Sequence, residues 1–234
     1  MYMKKTLLSF ILFASVSGTF VFADTINDKI YKDIKLKVPA YRQQYANSCE
    51  AGALRMALAY KGIMKSDVQI LTQFNYNPTY MDRINNVWDD PQKQYVGYVD
   101  VTGNITGGYG VYGLPVVRAV EAFRLKAEYA TSTAITPSFL AQAIDDKNPV
   151  VIWGYTSYTQ PPYKWKNREG GTVIAFKGEH ARTLVGFKGT IEAPLGFYVH
   201  DPINGKAYEY WTTEKLMAHM NKVPGVTDQA VVVK

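Results

Sequence analysis

The stretch Tyr41–Gly62, YRQQYANSCEAGALRMALAYKG, decides how this 234-residue chain is read, because it carries the only cysteine, Cys49. Ala, Leu and Met dominate residues 49–60, and these favour helix. Ser48 is a good N-cap and Gly62 a good C-terminal stop, so the spacing predicts a helix over 48–61. Cys49 follows the N-cap directly. The unpaired N–H groups and positive dipole end of a helix would gather there and favour thiolate over thiol. Glu50 opposes this only if its carboxylate lies close, and adjacent helical residues are expected to diverge.

Outside this stretch, Lys4 and Lys5 precede an uncharged apolar run, Thr6 to Phe22, ending in Val21-Phe22-Ala23 before Asp24. That order predicts an export signal over 1–23, cut after Ala23, and a single mature domain over 24–234. The protein is thus expected to be secreted or periplasmic, with no stable membrane insertion after cleavage. Losing Lys4 and Lys5 lowers the formal charge from +6 to +4. The lysines are scattered, which argues against a nucleic-acid partner. One cysteine cannot form an internal disulfide. In an exported protein it is an inert buried thiol, an intermolecular link or a nucleophile.

Downstream, Ser66–Phe74 reads as a second helix. Residues 75–113, rich in Asn, Asp, Gly, Pro and Tyr without lasting periodicity, read as long loops. Helices are expected over Pro115–Lys126, over Thr136–Lys147 with Thr136 as cap, and over Thr212–Met220. Strands are expected at the end of the 24–40 lead-in (IKLKVPA), at PVVIWGY (149–155), TVIAFKG, HARTLVGFKG, GFYVHDP and QAVVVK. Helices lead and strands follow, which is an α+β order.

A thiolate attacking an acyl carbon needs a base, a group orienting that base and donors for the oxyanion. The histidines are His180, His200 and His219. His180 opens HARTLVGF, the chain turns near KGTIEAP, and GFYVHDP returns. An antiparallel hairpin of this kind sets His180 beside Asp201, whose carboxylate would fix the imidazole tautomer. Pro202 ends the strand there. Gln43 stands six residues before Cys49 and could supply an amide donor together with the Cys49 N–H; Gln44 competes for that role. His200 and His219 read as surface or structural.

Three blocks, VPAYRQQYANSCEAGALRMALAYKG, GEHARTLVGF and GFYVHDPINGK, resemble those of bacterial papain-like cysteine peptidases related to the bacteriocin-leader-processing peptidases. WDDPQKQYVGYV and GYGVYGLPV resemble a secreted, stand-alone branch. The separation of Cys49 and His180 also falls within the roughly 130–150 residues of papain-type arrangements. The resemblance implies a papain-like α+β fold, with an N-terminal helical part carrying the nucleophile packed on a C-terminal antiparallel sheet. It implies Cys49 as nucleophile, His180 as base, Asp201 as orienting acid and Gln43 as oxyanion donor. It implies a peptide or protein substrate, with no cofactor and no metal. Glu50 departs from the glycine that follows the nucleophile in the best-known members. The double-glycine leader substrate of transporter-fused members is not carried over.

Other readings are weaker. GYGVYG (108–113) matches a G-x-G-x-x-G string but lacks an opening βαβ unit. WDDP (88–91) lacks the spaced oxygens of a calcium loop. A Cys-dependent acyl transferase, a cell-wall peptide amidase and a non-catalytic binding module on the same fold are the alternatives to a peptidase. The oligomeric state is not encoded in any recognisable pattern.

Overall fold

The computed structural model describes residues 30–101, 107–158 and 160–234. The expected export signal, 1–23, lies outside the described residues. Among the described residues no helix is long and apolar enough to cross a membrane.

The helix expected from Tyr41–Gly62 forms as α1 (Cys49–Tyr60). Gly62 adopts φ +81°, a left-handed turn that glycine tolerates without steric cost. Ser48 occupies the cap position, but its hydroxyl bonds the Asp67 carboxylate (2.8 Å) rather than capping α1. α2 (Asp67–Gln73) starts with a full capping box between Ser66 and Gln69. α3 (Gly113–Ala122) follows the intervening region, and α4 (Pro137–Asp145) is capped by Thr136 on the Phe139 N–H. α5 (Thr213–Met220) is capped by the Thr212 hydroxyl.

The main sheet is antiparallel throughout. It comprises β5 (Ala127–Thr131), β6 (Val150–Tyr155), β9 (Glu179–Gly189), β10 (Pro194–Asp201), β11 (Lys206–Thr212) and β12 (Gln229–Val233), in the spatial order β11-β10-β9-β6-β12-β5. The first strand, β1 (Lys32–Lys35), pairs with the second half of β9, whose first half pairs with β6. A three-stranded sheet joins β2 (Val87–Trp88), β7 (Tyr163–Asn167) and β8 (Thr172–Ala175). A two-stranded one joins β3 (Val96–Gly97) and β4 (Gly108–Gly110).

PVVIWGY is apolar on both faces because both faces of the sheet are covered. Val150 and Ile152 pack with Leu140 and Ile144 of α4 and Leu216 and Met220 of α5. Val151 and Trp153 pack with Leu54 of α1, Ile70 of α2 and Val116 and Val120 of α3. The helices carrying the N-terminal motif thus lie on one side of a mostly C-terminal sheet, the α+β arrangement expected.

Two expectations are corrected. Residues 75–113 are not loop throughout, since β2, β3 and β4 lie within them. These strands are too short for a period-2 pattern; β2 forms on distant chain, at β7, and β3 and β4 form on each other. β5, β7 and β11 likewise had no expectation. The lead-in strand ends at Lys35, although the Leu36 N–H still bonds Val185 O (2.8 Å).

Candidate active site

The hairpin places the histidine and the acid. β9 and β10 pair antiparallel with Thr183 opposite His200, interrupted by two register shifts. The sequence set His180 beside Asp201; with Thr183 opposite His200, the observed register puts His180 past the end of the paired stretch. His180 nevertheless reaches the acid, with Nε2 2.7 Å from Asp201 Oδ1. Arg182, two residues on and so on the same face of β9, donates Nε to Asp201 Oδ2 at 2.9 Å. Arg182 also donates to Tyr155 O and lies over the Trp211 ring. The Ile203 N–H donates to Asp201 Oδ1 (2.9 Å), so the turn after Pro202 completes the grip.

Electrostatics follow from these contacts. Burial pushes the Asp201 carboxyl up. The His180 hydrogen bond, the charges of His180 and Arg182 and the Ile203 N–H outweigh it and hold the group far below the usual carboxylate range. An ionised carboxylate only accepts, so Nε2 carries the proton and Nδ1 is the basic nitrogen. Burial lowers the His180 pKa; Arg182 lowers it further, while the Asp201 hydrogen bond and charge oppose the shift.

Cys49 sits at the first position of α1, directly after a loop tied down by several bonds. The Asn47 N–H bonds Val99 O, and the Gln43 N–H bonds Pro202 O (2.7 Å), linking the loop to the end of β10. Gly52 makes this approach possible: a Cβ there would lie 3.0 Å from Pro202 Cβ and 3.1 Å from Gln43 Cβ. Cys49, His180, Gln43, Asn47, Tyr109 and Glu179 all line one cleft of about 260 Å³. The Ala181 N–H, next to His180, favours the thiolate.

Two expectations about the thiol are overturned. The thiol pKa is not lowered on balance: burial, then the nearby charges of Glu50 and Glu179, push it well up, against the Ala181 N–H. Glu50 does not diverge from the sulfur: its Oε2 lies 3.3 Å from Sγ. Tertiary structure turns it there. Its Oε1 accepts the Val111 N–H (2.8 Å), and β4 closes over it at Gly110, where a Cβ would lie only 2.0 Å from Oε1. The GYGVYG string, expected to be a loop or turn, thus supplies a backbone cradle for a carboxyl.

Glu179 is a residue that sequence reasoning missed. One of its carboxyl oxygens, one of Glu50 and the Cys49 sulfur all lie within 4.8 Å of one another. Burial raises Glu50 to about 7, opposed by its own and the Val111 N–H. Burial and the Glu50 charge raise Glu179 well up, opposed by Arg182. Such spacing suits a shared ion or a shared proton. The sulfur contact and the Val111 bond occupy both Glu50 oxygens and favour the proton. Arg182 was also missed; its one signal was its i+2 spacing from His180.

Gln43 lies in the cleft wall, with both amide hydrogens directed at its own loop, to Tyr45 O (2.9 Å) and Ala46 O (2.8 Å). Oxyanion donation requires one of these bonds to be released. Gln44 is held elsewhere: its Oε1 accepts from the Asp67 N–H at the start of α2 (2.8 Å). His200 is fully buried against Tyr208, and His219 stacks on Tyr155 at 4.0 Å. Burial lowers both to about 4; for His219, Arg182 and Lys215 add to this.

The helix-borne thiol over an antiparallel sheet bearing the histidine and acid is the arrangement of papain-fold cysteine peptidases. Within that class, the chain belongs to the Peptidase C39-like family, whose profile matches residues 35–223. Among solved structures it is similar to a protein described as a C39-like peptidase from Bacillus anthracis. That match has 21% identity and TM-score 0.70, covering 87% of this chain and 98% of that one. Weaker similarities are to the peptidase domain of Streptococcus ComA, a bifunctional ABC transporter in a quorum-sensing pathway (11% identity, TM-score 0.49, covering 84% and 97%). Another is to a double-glycine-motif protease from an AMS/PCAT transporter in complex with its leader peptide (17% identity, TM-score 0.47, covering 88% and 98%). No curated protein sequence matches the chain significantly.

Proposed function

We propose that this protein is an exported cysteine peptidase that cleaves peptide bonds by acyl transfer. The supporting observation is the convergence on one cleft of Cys49 and of His180, whose Nε2 is fixed on Asp201. With the thiol raised and the imidazole lowered, the resting pair is neutral. His180 Nδ1 therefore takes the Cys49 proton as the sulfur attacks the carbonyl carbon, and returns it to the departing amine. Water then attacks the thioester and frees the acyl product and the thiol. The Cys49 N–H, one of the unpaired first-turn donors of α1, and the Gln43 amide hold the oxyanion. Family membership supports the peptidase class, and Lys4, Lys5, the apolar run and Val21-Phe22-Ala23 support export.

The test is incubation of residues 24–234 and a Cys49→Ala control with a peptide library and with host envelope extract, products read by mass spectrometry. Cleavage by the first and none by the control is expected. Amine rather than water as acyl acceptor would reassign the protein as a transferase. No Cys49-dependent product would leave a binding module.

A further inference from the structure

The carboxyl pair at the sulfur has no place in the reaction as described above. Three acidic groups, the Cys49 thiol and the Glu50 and Glu179 carboxyls, crowd within 4.8 Å at the cleft, the first two buried and Glu179 half-buried. Glu50 is fully buried, and Glu179 Oε1 is buried without a hydrogen-bond partner. Buried like charges at this separation cannot all ionise. The remaining surroundings offer little relief. Tyr95 faces Glu50 and Cys49, and Tyr109, Tyr112 and Tyr163 face Glu179; burial raises all four, so they stay neutral. Arg182 is the cation felt by Glu179, and its Nε is committed to Asp201. Lys177 also lines the cleft, and Asp201 is engaged by His180 and Arg182.

We propose that Glu50 takes part in thiol activation: in its protonated form its Oε2–H donates to the Cys49 thiolate, and loss of that proton switches the site off. The inference rests on Cys49 being the nucleophile. The geometry allows one role per oxygen. Oε1 accepts the Val111 N–H and must stay the carbonyl-like oxygen, so the proton belongs on Oε2, 3.3 Å from the sulfur. The Cys49 proton still goes to His180 Nδ1; Glu50 keeps its own and bonds S⁻ through it. As the sulfur bonds the carbonyl carbon, that bond relaxes, and no proton is gained or lost by Glu50 over the cycle. In the deprotonated site a carboxylate faces the sulfur instead, holds the thiol proton and repels the thiolate. The pair surrenders its first proton near pH 7, where Glu50 titrates, and the charge so created holds the second. The site is therefore built for mildly acidic surroundings, with protonation of His180 closing it at lower pH.

The test is the rate at which iodoacetamide alkylates Cys49 between pH 5 and 9, followed by intact mass, in the wild-type protein and in Glu50→Gln. An ordinary thiol is alkylated faster at every higher pH. The wild type is expected to slow on the order of tenfold on passing through neutrality, through loss of a charge-assisted donor. Glu50→Gln, whose amide can accept from Val111 and donate to sulfur at every pH, is expected to show no such fall. The infrared absorption of buried protonated carboxyls is expected to drop in the wild type itself as pH rises from 6 to 8 and Glu50 ionises, the Glu179 part remaining, so the test survives a variant that does not fold. A monotonic rise in the wild type, the same fall in Glu50→Gln, or no labelling at any pH overturns the proposal. Alkylation needs no substrate. A fall in labelling without peptide cleavage would thus spare this inference and sink the peptidase reading, and cleavage with a monotonic rise would do the reverse.

Discussion

At the scale of single residues, Asp201 and Glu50 show how burial and partners compete, and they pull stability in opposite directions with pH. Asp201 has its folded pKa held below the unfolded value of about 3.9. Its contribution is present above that value and is lost as pH falls further. Glu50 is raised to about 7 from an unfolded value of about 4.3, so stability declines as pH rises from there towards 7 and then levels. Glu50→Gln is accordingly expected to be more stable than wild type at pH 8 by about 3 kcal/mol, an advantage that disappears near pH 4. Urea denaturation at the two pH values checks this; equal stabilities at pH 8 would contradict the raised carboxyl. Asp201→Ala leaves Arg182 buried without its carboxylate and is expected to cost about 3–5 kcal/mol in the same assay.

At the scale of elements, the site is made where α1 meets the end of β10 and where β4 meets α1. Asp67, at the start of α2, accepts from the Gln44 N–H (2.7 Å) and the Ser48 hydroxyl and pairs with Arg55, so a single buried carboxylate sets the entry to α1. Gly110→Ala is expected to displace Glu50, because its Cβ would meet Oε1 and the position holds φ +143°. Its Tm should fall by several degrees. Gly52→Ala is a gentler probe: the 3.0–3.1 Å contacts with Pro202 and Gln43 require small shifts. It should lower peptide turnover more than stability. A stability loss with full activity would mean that the Gln43 loop is not held by this contact. Local rules served these elements unequally. Caps and apolar periods revealed α1, α2, α4 and α5 in the sequence, whereas β2, β3 and β4 carry no pattern of their own and exist through their pairing.

At the scale of the whole molecule, the last strand lies inside the sheet. β12 sits between β6 and β5, with Ala230 and Val232 in one core and Val231 and Val233 in the other. Deleting 229–234 is expected to abolish cooperative unfolding by circular dichroism, since it removes both neighbours' hydrogen bonds and two layers of packing. A truncated chain that still melted cooperatively near the wild-type temperature would show that β5 and β6 can close without it.

The sequence by itself determined the Cys49 helix, the β9–β10 hairpin and the meeting of His180 with Asp201, because caps, glycine stops and alternation are short-range signals. Even the shifted register preserved that meeting, since Asp201 reaches His180 and Arg182 on one face of β9. The tertiary structure alone decided the state of the thiol. A helix N-terminus in water favours thiolate, but here Gly110 and Val111 fold a carboxyl against the sulfur and Glu179 arrives from the opposite layer. Desolvation and like charge depend on what the whole chain packs around an atom, and no neighbouring letter records them.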